Sequence, residues 1–152
     1  MRRALLLLPT LAIAAGCGGG SGSSRLSHAE FVQQGNAICS DYYKKLNALP
    51  QVSSPDQLVG FIDKAQGYTN TAIDDLDKLQ PPKDDEASFD AFLAQARDEV
   101  KLEDELRAAA KAKDNAKLQA VGKRGDAIDK RANALAAKAG LDVCAQPSST
   151  TG

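Results

Sequence analysis

Ser54-Pro55-Asp56-Gln57-Leu58 opens, and Pro81-Pro82 closes, the stretch on which the fold turns. Ser54 supplies a side-chain oxygen for a free helical N–H, Pro55 sits at the first helical position where its missing N–H is not needed, and Gln57 completes the start signal. Between these ends the apolar-face positions Leu58, Ile62, Ala65, Thr69, Ala72, Leu76 and Leu79 alternate steps of four and three. That spacing puts them on one stripe of a helix. Upstream, Leu26-Ser27-His28-Ala29-Glu30-Phe31 has the form of a capping box with a hydrophobic staple. It starts a helix whose face reads Phe31, Gly35, Ile38, Tyr42, Leu46 and Leu49 and which ends at Pro50. Downstream, a third helix runs from about Asp84 to Ala112 with Phe89, Phe92, Leu93, Ala96, Val100, Leu106 and Ala110 on one side. A fourth opens at Asp114, carries Leu118, Val121, Gly125, Ile128, Ala132, Leu135 and Ala139, and stops at Gly140. No segment alternates with period two, and short connections between helices of similar length force antiparallel neighbours. The fold class expected is therefore all-α, an up-down-up-down four-helix bundle.

The chain has 152 residues, room for one domain, and 5% aromatic residues without a single Trp. One His and one Met leave too few ligands or relay partners for a His-built zinc site, a haem site or a Ser-His-Asp relay. Net charge is −1, and −3 once Arg2 and Arg3 are removed, which points away from nucleic acid.

Those two arginines precede the apolar run Ala4 to Ala15, the layout of a secretory leader that is too short to span a bilayer. It closes Ala14-Ala15-Gly16-Cys17, which resembles the bacterial lipobox, in which small residues precede a Cys that is diacylated and becomes the mature N-terminus. The alternative is an ordinary cleaved leader with an incidental Cys17. Gly18-Gly19-Gly20-Ser21-Gly22-Ser23-Ser24 favours the anchor, because a Gly/Ser run is a flexible tether, here reaching on the order of 17 Å. The expected organisation is residues 1–16 leader, 17–25 lipidated Cys and linker, 26–145 bundle and 146–152 disordered tail.

With Cys17 assigned to lipid, Cys39 and Cys144 remain in an oxidising compartment. A disulfide that ties the C-terminal tail back to the first helix is the simplest assignment; two free thiols or a metal pair are the alternatives, and a metal would need further soft ligands. An extended return of four residues from Gly140 spans about 13 Å, and the usual Cα separation of a disulfide adds about 5.5 Å. Cys39 lies roughly 18 Å up the first helix, so the distances agree.

Charge follows the helices. Residues 83–113 hold nine acids and six bases and residues 114–140 hold three acids and six bases, which makes the third and fourth helices complementary neighbours. The end near the tether gathers Asp74, Asp75, Asp77, Asp84, Asp85 and Glu86. The far end gathers Lys44, Lys45, Arg107, Lys111, Lys113 and Lys117. A basic end facing outward suits an envelope protein or an acidic envelope polymer as partner.

Nothing has the spacing of a catalytic motif, and neither a cofactor nor a metal is expected. The acidic turn lacks the spacing of an EF-hand loop, and His28 falls near the surface at the start of the first helix. One position opposes its own pattern. Heptad steps from Phe89 give Ala96, Glu103 and Ala110, so Glu103 falls on the apolar seam. Reflection through the turns sets Arg124, and Tyr42 or Tyr43, at its level, with Gly125 beside them. Either Glu103 tilts to solvent, or Tyr42, Glu103 and Arg124 form an interior polar layer that sets register or lines a small cavity.

The lipobox, the Gly/Ser tether, Leu-Ser-x-x-Glu-Phe, Ile38-Cys39, Asn133-Ala134-Leu135 and Val143-Cys144 together resemble a group of small uncharacterised bacterial lipoproteins common in high-GC genomes. The resemblance implies an envelope protein, lipid-anchored on the extracytoplasmic face of the cell membrane, and lends no catalytic residue. Two functions are expected from this: a non-enzymatic helical interaction module, or a carrier or sensor of a small ligand held inside the bundle, with a pocket beside Gly125 and Gly35. In cells fed a fatty-acid analogue the protein is expected to take up the label and Cys17→Ser to lose it. Label retained by the variant, read on a gel, overturns the anchor.

Overall fold

The computed structural model describes residues 25–146. The leader, Cys17, the linker up to residue 24 and the tail from residue 147 lie outside the described residues. Four helices follow in order: α1 (His28–Asn47), α2 (Pro55–Leu76), α3 (Lys83–Ala112) and α4 (Asn115–Lys138). The described residues form a helical bundle without strands, as the apolar periodicity requires.

Local chemistry sets the ends. Ser27 and Glu30 make both halves of the capping box on α1, Ser54 accepts from the Gln57 N–H on α2, and Asp114 accepts from the Lys117 N–H on α4. Helix α2 stops at Leu76, before its prolines. Two C-termini use the same closing motif. After α3 the Asp114 N–H reaches Ala109 O and the Lys113 N–H reaches Ala110 O; after α4 the Leu141 N–H reaches Ala136 O and the Gly140 N–H reaches Ala137 O. Each requires a left-handed residue. Gly140 meets this freely at φ 77°, whereas Lys113 adopts φ 54° with a side chain in place.

Phe31 and Phe89 meet edge to face, 5.0 Å between centroids, and with Leu141 they are fully buried. The start of α1 abuts the α2–α3 connection: the Leu26 N–H donates to Gln80 O, and Arg25 donates to Pro81 O and pairs with Glu86 at 2.8 Å. Arg25, grouped with the linker in the sequence, is therefore docked.

The helices do not close evenly. α3 packs along both α2 and α4, and α1 packs along α2, but α1 and α4 share no extended backbone seam. The segment after α4 fills the gap. Leu141 lies against Gly35, where a Cβ would come within 2.6 Å of its Cδ2; the Asn36 side-chain oxygen accepts from the Val143 N–H; and Cys144 bonds Cys39 with Cα atoms 5.2 Å apart. The C-terminal segment is thus tied back as expected, though not as an extended strand. The Ala145 N–H closes a turn on Leu141 O at 3.0 Å. Gly140 already lies beside His28 and Val32, so a single turn climbing along α1 suffices. By chain entropy alone a cross-link this long contributes about 4.7 kcal/mol.

Gly35→Ala is expected to lower stability by roughly 1–3 kcal/mol in urea unfolding, because fully buried Leu141 has nowhere to retreat. Gly60→Ala, with nothing within 4 Å of the added methyl, is the control and is expected to be neutral or stabilising.

Candidate functional site

Where α1 and α4 fail to close, a partly open cavity of about 60 Å³ remains, room for roughly two waters. Tyr42 and Tyr43 of α1, Thr69 of α2, Glu99 of α3 and Asp129 and Asn133 of α4 supply its polar wall, and the Cys39–Cys144 bridge walls one side. Each of these polar residues is carried in by helical spacing. Thr69 occupies an apolar-face position of α2, and Glu99 is one turn before Glu103 on α3.

The two tyrosine rings lie 5.1 Å apart. Tyr43 Oη donates toward Cys144 O and Gln146 O, at 3.3 and 3.1 Å, and so holds the C-terminal segment on α1. Gln146, assigned to the tail, is part of that clamp. Burial, with the charge of Glu99 and Asp129, pushes the Tyr43 phenol up to about 12. Burial likewise raises Tyr42 well above the ordinary phenol value, against a long hydrogen bond to Thr69 that lowers it.

Glu99 is held well above the usual carboxylate range, first by burial and then by the charges of Asp129 and Glu103 and a hydrogen bond with the Asp129 side chain. Glu103 is pushed up to about 7 by burial, opposed by Thr69 and by the Arg107 charge. Its Oε2 is buried without a hydrogen-bond partner among the described residues. The Thr69 hydroxyl lies 3.1 Å from Ala65 O and 3.4 Å from Glu103 Oε1, two acceptors for one proton. The one hydroxyl proton is divided between the two acceptors, which leaves the bond to Glu103 long and weak.

Of the expected polar layer, Tyr42 and Glu103 are brought together through Thr69, and Arg124 is not. Arg124 is exposed and makes a bidentate pair with Glu105 at 2.6 and 3.0 Å. The register of α4 against α3 sets Arg124 opposite residue 105, and both side chains flank the seam on its solvent side. The cation near Glu103 is Arg107, whose guanidinium pairs with Asp63 and Asp104 at 2.6 and 2.8 Å and also meets Gln66. Neither Gly35 nor Gly125 lines this cavity: Leu141 lies against the first, and Leu102 lies 3.5 Å from where a Cβ would stand at the second.

Elsewhere, His28 Nδ1 lies 2.7 Å from Asp85 at the opposite end of α1, with most of its ring in solvent. Among the described residues no group of three or more His, Cys, Asp or Glu is placed to hold a metal, and no helix is long and apolar enough to cross a membrane. Glu99 and Asp129 escaped the sequence reading, although Phe92, Glu99 and Leu106 follow one another at heptad steps, the same signal that marks Glu103. No known family model matches the chain, and comparison with curated proteins and with solved structures found no match.

The raised carboxyls set the sign of the pH dependence. A carboxyl whose folded value lies above its unfolded one stabilises most below the unfolded value and loses that contribution as pH rises through the folded value. Glu103 and Glu99 act in this sense; Glu30, Glu86, Asp104 and Glu105, all lowered by hydrogen bonds, act oppositely and only in the acid range. Melting temperature is therefore expected to fall between about pH 5 and pH 8. Glu103→Gln is expected to be silent at about pH 5 and to stabilise at about pH 8 by on the order of 1–2 kcal/mol, discounted for solvent screening. Arg124→Ala is expected to melt with the parent.

Proposed function

We propose that this protein is a non-enzymatic helical binding module, lipid-anchored on the extracytoplasmic face of a bacterial membrane. The observation that carries the reading is the Cys39–Cys144 bridge, 105 residues apart in sequence. A disulfide of this kind belongs to an oxidising compartment, in agreement with the leader of residues 1–16. With both internal cysteines committed, Cys17 is the cysteine left to carry lipid. The Gly/Ser run then holds the bundle close to the membrane, with the α1–α2 and α3–α4 turns at the end away from the tether.

Two surfaces can do the binding. At the far end Lys44, Lys111, Lys113 and Lys117 are exposed, and Lys113 approaches Asp56 only to 3.7 Å. This end suits an acidic envelope polymer or the acidic face of an envelope protein. The second reading, a carrier or sensor of a small ligand, is favoured by the cavity between α1 and α4. Its titratable wall consists of acids and phenols, so it would take a small organic cation, with the tyrosine rings contributing cation–π attraction.

The two readings separate cleanly. Retention of the full-length protein on immobilised polyglutamate is expected to fall with salt and to be lost when Lys111 and Lys113 become Glu. Small protonated amines are expected to raise the melting temperature and shift tyrosine emission if the cleft is the site, with Asp129→Asn removing the effect. Indifference to the charge reversal and to salt ends the docking reading, and a flat amine titration ends the ligand reading.

A further inference from the structure

At the end of the bundle opposite the start of α1, the α1–α2 connection and the first turns of α2 enclose a partly open notch of about 200 Å³, against about 60 Å³ in the cleft. Gln57, Gly60, Phe61 and Lys64 line it from one stripe of α2, and Pro50 and Val52 line it from the connection. Its wall is apolar at Pro50, Val52 and Phe61, and Gly60 leaves it open, since a Cβ there would meet nothing within 4 Å. Val52, at 40% exposure, is the one large apolar side chain left in solvent among the described residues. The notch is also preset. The Gln57 side-chain oxygen accepts from the Ser53 N–H and hydroxyl at 2.9 and 3.1 Å, which fastens the connection to α2.

Charge around the notch is unbalanced in one direction. The acids at this end are already engaged: Asp41 with Lys45 at 2.6 Å, Asp63 and Asp104 with Arg107, Asp56 with Lys113, and Asp114 with the Lys117 N–H. Lys44, Lys64, Lys111 and Lys117 are exposed and have no ion-pair partner among the described residues. Lys64 lines the notch itself, and Lys44 lies in the last turn of α1, just before the connection. The approach of Lys113 to Asp56 brings the α3–α4 turn, with Lys111 and Lys117 on either side of it, beside the start of α2.

We propose that this notch receives one apolar side chain from an acidic segment of a partner protein, whose flanking carboxylates pair with the surrounding lysines. The proposal rests on the reading of the basic end as a docking surface and names the kind of partner it takes. A polyanion without apolar groups satisfies the lysines and leaves Val52 and Phe61 in water. An apolar centre with charges at its rim is instead the anatomy of a protein interface, in which the central side chain carries the affinity and the rim speeds and orients the encounter.

The test uses two synthetic peptides, Glu-Glu-Leu-Glu-Glu and Glu-Glu-Ser-Glu-Glu, titrated into the full-length protein and followed by NMR at the Gly60 amide and the Val52 methyls. The leucine peptide is expected to shift these signals and to bind about tenfold more tightly, the effect of burying one such side chain. Added salt is expected to weaken both peptides and leave their ratio standing. Val52→Ser and Gly60→Gln are each expected to remove most of the ratio while melting close to the parent, since neither side chain supports the core. Equal binding of the two peptides overturns the notch and leaves a purely electrostatic docking end. Binding of neither peptide, with retention on polyglutamate intact, overturns the notch alone; loss of that retention as well removes the docking reading on which it rests. Shifts at Gly60 and Val52 that grow with protein concentration in the absence of peptide place a second copy of this chain in the notch and overturn the partner proposed.

Discussion

The seating of Leu141 against the bare backbone of Gly35 is the contact on which the rest of the bundle depends. Three of the helices are zipped by ordinary side-chain packing, but α1 has a full-length neighbour only in α2. Its other flank would face solvent with Phe31 and Val32 beneath it. A side chain at 35 would press on Leu141 and strain the seat that holds Val143 at Asn36 and Cys144 at Cys39. One missing methyl therefore lets the C-terminal segment lie flat on α1, and the bridge it carries makes one wall of the cleft.

The helix ends were legible because they are local. Ser27, Ser54 and Asp114 each satisfy an N–H within four residues of themselves, and no tertiary context is needed to recognise that. Lys113 was not legible as a left-handed closing residue, because the position ordinarily belongs to glycine and only the packing of α4 onto α3 compels it. Glu103 was found because it interrupts a heptad. Its partner was misjudged because reflection through a turn yields height along the bundle and not rotation about each helix: Arg124 is at nearly the right level and faces Glu105 outside the seam. Glu99 could have been marked by the heptad from Phe92 to Leu106. Its meeting with Asp129 required the register of two helices at once, which periodicity does not contain.

The polar wall of the cleft runs against the usual economy of a small core. Tyr42, Thr69 and Glu103 form a chain of hydroxyl and carboxyl groups too long in its contacts to be strongly bonding, and Glu99 sits where apolar residues, Phe92 and Leu106, precede and follow it at the same helical phase. A bundle of this size has little stability to spare, so interior acids weaken it at neutral pH. They are tolerated because each has a proton to hold or a hydroxyl to meet, and because α1 and α4 leave them partly in contact with water.

The sulfur bridge also redirects mechanical load. A pull applied between Arg25 and Gln146 travels along α1 to Cys39, crosses to Cys144 and leaves within two residues, so the 105-residue separation between the cysteines is bypassed. The rest of α1 and all of α2, α3 and α4 lie inside a covalent ring and bear no tension along their backbones. Only the first three or so turns of α1 stand in series with the force. Stretched between its ends, the chain can lengthen by little more than that short arm, and the helices that build the cleft stay slack.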